Sequence, residues 1–165
     1  MNIRDATSDD LPAIVGIYNS TIPSRIVSAD TEPVSVKDRL AWFNAHDPSR
    51  RPLWVVEDAG GIAGWLSLGD FYDGRPAYHA TAEVGIYIAE QRRGEGLGRR
   101  LVEEATGRAP ELGIKTLTAG IFAHNERSVA LFEGFGFETW ARFPGVAEID
   151  GTEIDLLVLG LRLDD

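Results

Sequence analysis

The chain has 165 residues, 44% apolar and 25% charged, with no cysteine. That describes one globular domain over residues 1–165 and excludes a disulfide scaffold, a thiolate metal site and a cysteine nucleophile. Sixteen Lys and Arg against 26 Asp and Glu leave a net charge of −10. Such a field repels nucleic-acid phosphates, yet a local cluster of cations can still hold a small anion. No apolar run approaches the ~20 residues that span a bilayer, and Met1–Asp5 lacks the basic-then-apolar start of a leader. The expectation is a cytoplasmic protein with neither a membrane nor a nucleic-acid partner.

In chain order, Asn2–Ala6 reads as a short strand. Thr7 or Ser8 can cap the helix that follows, with Asp9 and Asp10 in its electropositive first turn and Leu11, Ile14, Val15 and Tyr18 at helical spacing. Ile22–Pro33 reads as a loop. Ser35, with Asp38 three residues on, can cap a second helix bearing Leu40 and Phe43. Leu53–Glu57 and Ile62–Phe71 form a hairpin about Asp58-Ala59-Gly60-Gly61. Asp73–Pro76 is a loop. In Thr81–Ile88, Val84, Ile86 and Ile88 alternate with Glu83, Gly85 and Tyr87, a clear strand pattern. A loop over Gln91–Gly96 leads to a helix carrying Leu97, Leu101, Val102, Ala105 and Ala109 and ending near Gly113. Thr116–Phe122 is a strand, Glu126–Phe135 a helix, and Thr139–Phe143 and Ile154–Leu163 late strands. The sum is a mixed α/β fold whose sheet is largely antiparallel and becomes parallel later.

The chemistry concentrates between Gln91 and Arg100, where four arginines (Arg92, Arg93, Arg99, Arg100) meet one acid, Glu95. A strand leads into Gln91-Arg92-Arg93-Gly94-Glu95-Gly96-Leu97-Gly98, and a helix leaves it. A helix N-terminus offers unpaired N–H groups and about half a positive charge, and glycines let the backbone wrap a ligand closely. With arginines added, the arrangement suits a pyrophosphate. The P-loop pattern fails, for want of its spacing and its Lys-Ser/Thr pair. The dinucleotide fingerprint G-x-G-x-x-G also fails, because Arg99 stands where its third glycine belongs.

A third loop fits. Gln91–Gly96 resembles the Q/R-x-x-G-x-G/A loop with which the GCN5-related N-acetyltransferase superfamily binds coenzyme A. Downstream, Asn125, Ser128, Leu131, Phe132, Glu133, Gly136 and Phe137 are similar to the superfamily motif N-x-x-[AS]-x-x-L-[YH]-E-x-x-G-F. Upstream, Arg75-Pro76-Ala77-Tyr78 and Thr81-Ala82-Glu83-Val84-Gly85-Ile86-Tyr87-Ile88 resemble the phosphinothricin and methionine sulfoximine N-acetyltransferase subgroup. Ile17-Tyr18-Asn19 and Glu32-Pro33 fit as well. The likeness covers most of the chain and loosens after Arg142.

The resemblance implies a twisted, mostly antiparallel sheet flanked by helices, a homodimer, and direct attack of a small amine on acetyl-CoA without a metal. It implies a cofactor site of Ile86, Tyr87, Ile88, Gln91, Arg92, Arg93, Gly94, Glu95, Gly96, Leu97, Gly98, Arg99, Asn125 and Ser128. Glu83 is the candidate base, and a backbone N–H of Ile86 or Tyr87 the oxyanion donor. The subgroup usually carries Ser where this chain has Gly85. It carries His, and relatives Tyr, where this chain has Phe132, which cannot donate a proton. Tyr87 is then the candidate for assisting the leaving thiolate. Arg75 and Tyr78 are the substrate-side candidates, since an amino acid with a polar head group calls for a cation and a hydroxyl. Asn125 alone would serve equally as a helix cap. His46, His79 and His124 are too scattered for a metal site, and Trp42, Trp54, Trp65 and Trp140 read as core or interface aromatics. Two other readings stay open: an acetyltransferase for another amine (a polyamine, another amino acid or a protein N-terminus), and a non-catalytic acyl-CoA sensor.

Overall fold

A computed structural model describes residues 1–163. The elements are β1 (Asn2–Asp5), α1 (Leu11–Thr21), α2 (Val36–Asn44), β2 (Leu53–Asp58), β3 (Gly61–Asp70), β4 (Thr81–Ile88), α3 (Leu97–Arg108), β5 (Thr116–Phe122), α4 (Glu126–Glu133), β6 (Glu138–Ile149) and β7 (Thr152–Arg162). All seven strands join one sheet in the order β1-β2-β3-β4-β5-β7-β6.

The helices divide between the two faces, as the alternation of the strands requires. On one face Trp54, Val56, Leu66, Leu68 and Val84 pack with Leu97, Leu101, Val102 and Ala105 of α3 and Phe132 of α4. On the other, Leu53, Val55 and Trp65 pack with Ile14 and Ile17 of α1, and Trp42 and Phe43 of α2 lie against them. β2 is thus buried on both sides, which explains its unbroken apolar run. Each fully buried Leu or Val side chain contributes roughly 1.5–3 kcal/mol by the area it removes from water.

Local chemistry sets the ends. Ser35 Oγ accepts from the Asp38 amide at 3.0 Å and the Asp38 carboxylate accepts from the Ser35 amide, closing a capping box at the start of α2. The Thr7 amide donates to Asp10 at 2.7 Å, and Arg4 grips Asp10 and Glu57 together, tying β1, β2 and the entry to α1.

Two expectations are corrected. The sheet does not become parallel toward the C-terminus: among the described residues β4 and β5 form the one parallel pair, and β5, β7 and β6 pair antiparallel. β6 also runs past Phe143 to Ile149. Pro144 cannot donate to the ladder, so the strand bulges between Phe143 and Ala147 and then resumes. Asp150 and Gly151, with φ of 52° and 78°, make the tight turn back into β7.

The feature that positions the site is a splay. β4 and β5 pair only over Thr81–Glu83 with Thr116–Thr118, although β4 continues to Ile88 and β5 to Phe122. Beyond Glu83 the two strands part and leave a gap in the sheet.

Candidate active site

The gap opens into a groove of about 590 Å³. Its floor is Ile86, Tyr87 and Ile88 of β4. One wall is Arg92, Arg93, Gly94 and Gly96 of the loop with Leu97, Gly98 and Arg99 of α3, and the other is Asn125 with Ser128 and Leu131 of α4. Gly94 and Gly96 have φ of 83° and 77°, values that a side chain resists, and Gly96 starts α3. The first intrahelical bond recorded for α3 runs from the Arg100 amide to the Gly96 carbonyl, so the amides of Leu97, Gly98 and Arg99 precede it as free donors at the positive helix end.

The arginines divide in function. Arg92 donates to Glu95 at 2.9 Å and to Asp58 at 2.7 Å, so its charge is spent bracing the loop against β2. Arg93 and Arg99 have no ion pair among the described residues, line the groove, and keep their charge for a ligand. Arg99 rests over the Phe135 ring at 5.3 Å. Gln91 and Glu95, both expected at the cofactor, are exposed and lie outside the groove lining. Asn125 does cap α4, its Oδ1 accepting from the Ser128 amide at 3.2 Å, and it also borders the groove, where its amide nitrogen has no partner among the described residues. Phe132 turns into the core, edge-to-face with Phe137 at 5.0 Å, so α4 offers no proton donor there.

A second cavity, of about 290 Å³, lies across β4. Glu83, Gly85 and Tyr87 of β4 and Trp65, Ser67 and Gly69 of β3 form its floor, with Tyr18 from α1 and Arg39 and Trp42 from α2 above. Trp65 stacks on Tyr87 at 4.5 Å, and Tyr18 meets Tyr87 edge-on at 5.1 Å. Trp65 Nε1 donates to the Ile14 carbonyl at 3.0 Å, fixing the indole. Tyr87 lines both the cavity and the groove, so the two meet at that residue.

Electrostatics separate the cavity's charged groups. Asp70 is paired with Arg50 and with buried Arg51, which hold its carboxyl below the ordinary range. Among the described residues Glu83 has no cation partner. Its carboxylate is open to the cavity yet crowded by protein, and that desolvation raises its pKa. Burial raises the Tyr87 phenol further above its usual value, so it remains a neutral donor. Arg39 lies over the Tyr18 ring at 4.6 Å and donates to Asp30 at 3.0 Å. The Tyr18 hydroxyl donates to the same Asp30.

Arg75 and Tyr78 lie elsewhere. Both are exposed on the segment between β3 and β4, with Tyr78 packed against Phe71 at 5.5 Å, and neither lines the cavity. Trp42 and Trp65, expected as core or interface aromatics, do belong to the core on the α1–α2 side, and both also line the cavity. Trp54 is in the core and Trp140 lies exposed on β6. Sequence reasoning missed Arg39, Ser67 and Gly69, and on the groove side Thr21, Ser24, Ile26, Val27 and Arg127. These lie far along the chain from the glycine loop and carry no local motif. Among the described residues no group of three or more His, Cys, Asp or Glu could hold a metal, and no helix is long and apolar enough to cross a membrane.

Known proteins resemble the chain over almost its whole length. The Bacillus subtilis protein YwnH, provisionally named a phosphinothricin acetyltransferase, is 55% identical over 164 residues, covering 99% of both chains. An L-methionine sulfoximine/L-methionine sulfone acetyltransferase of Pseudomonas aeruginosa is 34% identical over 166 residues, covering 99% of this chain and 95% of its own. The crystal structure of a GNAT superfamily phosphinothricin acetyltransferase from Sinorhizobium meliloti in complex with AcCoA is 27% identical. It superposes with a TM-score of 0.91, covering 98% of this chain and 88% of that one. The acetyltransferase (GNAT) family pattern matches residues 14–137, and the chain belongs to that family.

Proposed function

We propose that the protein transfers an acetyl group from acetyl-CoA directly to the amine of a small amino-acid-like acceptor of the phosphinothricin or methionine sulfoximine type. The observation that carries this reading is the junction at Tyr87, where a groove lined by Arg93, Arg99 and the start of α3 meets an open cavity that Glu83 also lines.

In this reading the pyrophosphate lies at the α3 N-terminus against Arg93 and Arg99, and the pantetheine arm enters the gap between β4 and β5 beside Asn125 and Ser128. Glu83 takes a proton from the acceptor ammonium, directly or through a water. The neutral nitrogen then attacks the acetyl carbonyl carbon, and a main-chain N–H of Ile86 or Tyr87 stabilises the oxyanion. The C–S bond breaks and the thiolate leaves, taking through solvent the second proton that the nitrogen sheds. A thiol of pKa about 8.5 cannot draw a proton from a phenol of ordinary pKa about 10 without an uphill step. Tyr87, raised higher still, therefore serves the thiolate as a hydrogen-bond donor and not as its acid.

Arg39 inside the cavity, with Arg75 and Tyr78 on the segment beyond its rim, is assigned to the acceptor's carboxylate and polar head group. A polyamine fits less well, because Arg50 and Arg51 neutralise Asp70 and leave Glu83 as the one unpaired acid lining the cavity among the described residues. A non-catalytic sensor would have no use for the acceptor cavity. We further assign the protein to the cytoplasm, where acetyl-CoA is made, and to a homodimer, for which the exposed Trp140, Phe143 and Val146 of edge strand β6 offer an apolar surface.

The test is thiol release from acetyl-CoA, followed with a thiol-reactive dye. The chain has no cysteine and adds no background. Turnover with phosphinothricin or methionine sulfoximine is the expected result. Turnover confined to polyamines, or tight acetyl-CoA binding without turnover on any amine, would overturn this reading.

A further inference from the structure

We propose that the Ser67 hydroxyl is the acceptor-positioning group, which holds the incoming nitrogen beside the Glu83 carboxylate. The inference rests on the amine-acetylating function above.

The β3–β4 register sets the geometry. Trp65 pairs with Tyr87, Ser67 with Gly85, and Gly69 with Glu83, and all six residues line the cavity. Trp65 and Tyr87 stack at one end of this double row, and Glu83 stands at the other. Between them two of the positions, Gly85 and Gly69, carry no side chain. Ser67 is the one side chain in the resulting clearing. Its Oγ lies 2.9 Å from where a Cβ on Gly85 would stand, so the hydroxyl leans across onto β4. A Cβ on Gly69 would meet nothing closer than the Glu83 carbonyl oxygen at 3.9 Å, so the space in front of the carboxylate is open.

Ser67 is 9% exposed, and its hydroxyl has no hydrogen-bond partner among the described residues. The oxygen is not sealed from solvent, so it stands free to accept a hydrogen bond from a ligand in the cavity. On a sheet face, Ser67 is the diagonal neighbour of both Glu83 and Tyr87, with diagonal pairs about 7–8 Å apart at the backbone. A nitrogen placed in the clearing therefore reaches the hydroxyl and the carboxylate at once.

The two groups act differently in time. Glu83 attracts the ammonium, but that attraction ends when the proton is transferred. Ser67 is neutral throughout and accepts an N–H from the ammonium and from the free amine alike. It keeps the nitrogen in place over the interval in which the neutral amine attacks. The glycines at 69 and 85 leave room for substituents on the carbon that bears the amine, which suits an α-amino acid.

Steady-state kinetics of Ser67→Ala and Ser67→Thr with methionine sulfoximine and phosphinothricin test the proposal, beside thermal melts of each variant. Ser67→Ala is expected to lower kcat/KM for the acceptor about tenfold, with KM for acetyl-CoA and Tm unchanged. Ser67→Thr, which keeps the hydroxyl, is expected to recover to within about threefold of wild type. Ser67→Ala within twofold of wild type, or equal losses in both variants with a matching rise in acetyl-CoA KM, overturns the proposal. Absence of wild-type turnover with every α-amino acid overturns the function itself, and the inference with it.

Discussion

Glu83 joins two facts about one side chain. It is exposed toward the cavity, and the protein packed around it still raises its pKa. A base with a raised pKa loses its charge at a higher pH on acidification. The acid limb of kcat/KM should therefore lie above the ordinary glutamate value of about 4.3, activity being present above that limb and lost as pH falls through it. Glu83→Gln should lower kcat by about 10²–10⁴ and abolish the limb, as a pH–rate profile reads directly. Glu83 was legible in the sequence through the strand alternation and the family likeness. Ser67 was not, since one serine in an apolar strand carries no pattern. Its meaning comes from Gly85, which is distant in sequence and paired with it only in the sheet.

At the scale of elements, the strand–loop–helix unit from β4 to α3 is the most local part of the site and the most legible. Its glycines, its arginines and the helix that follows are neighbours in sequence, and so are the free helix amides beside them. Gly96→Ala would place a Cβ at φ 77°, at a cost of about 1–2 kcal/mol, and would distort the start of α3. A rise in acetyl-CoA KM of about tenfold, with Tm lowered, is the expected outcome. Arg93→Ala and Arg99→Ala should each raise acetyl-CoA KM about fivefold and weaken its dependence on salt, since a freed counter-charge is what salt screens. Arg92→Ala should act through loop stability instead, because Asp58 and Glu95 already occupy its guanidinium. The four arginines look alike in the sequence, and their ion-pair partners tell them apart. Asp58, 34 residues before Arg92, is invisible to any local motif.

Across the whole molecule, two arginine networks, one buried and one partly exposed, hold the frame on which the site is built. Arg51 is 2% exposed and donates to Asp70 at 3.0 Å, to the His79 carbonyl at 2.8 Å and to the Thr81 carbonyl at 3.2 Å. It ties the approach to β2 to the end of β3 and the start of β4. Arg51→Met leaves two carbonyls and part of a carboxylate without their donor. A loss of about 3 kcal/mol in chemical denaturation is expected, with the acceptor cavity loosened along with it. The second network joins Arg4 to Asp10 and Glu57. Arg4 holds the Asp10 carboxyl below its ordinary pKa. A depressed folded pKa contributes stability that is present above about pH 4 and lost as pH falls through the folded value. Asp10→Asn should therefore flatten the acid unfolding curve relative to wild type and cost about 1–2 kcal/mol near neutral pH.

The sequence by itself determined most of the elements, their alternation, the glycine and arginine loop before α3 and the acetyltransferase family. Each depends on periodicity, capping or glycine placement within a short window, and such forces act between neighbours along the chain. Tertiary structure alone decided where β4 and β5 part and which arginines stay free. It likewise brought Tyr18, Arg39, Trp42 and Ser67 together around Glu83, and placed Arg75 and Tyr78 outside that cavity. These outcomes depend on strand register and on packing between elements far apart in sequence, and the contacts exist only once both faces of the sheet have been covered.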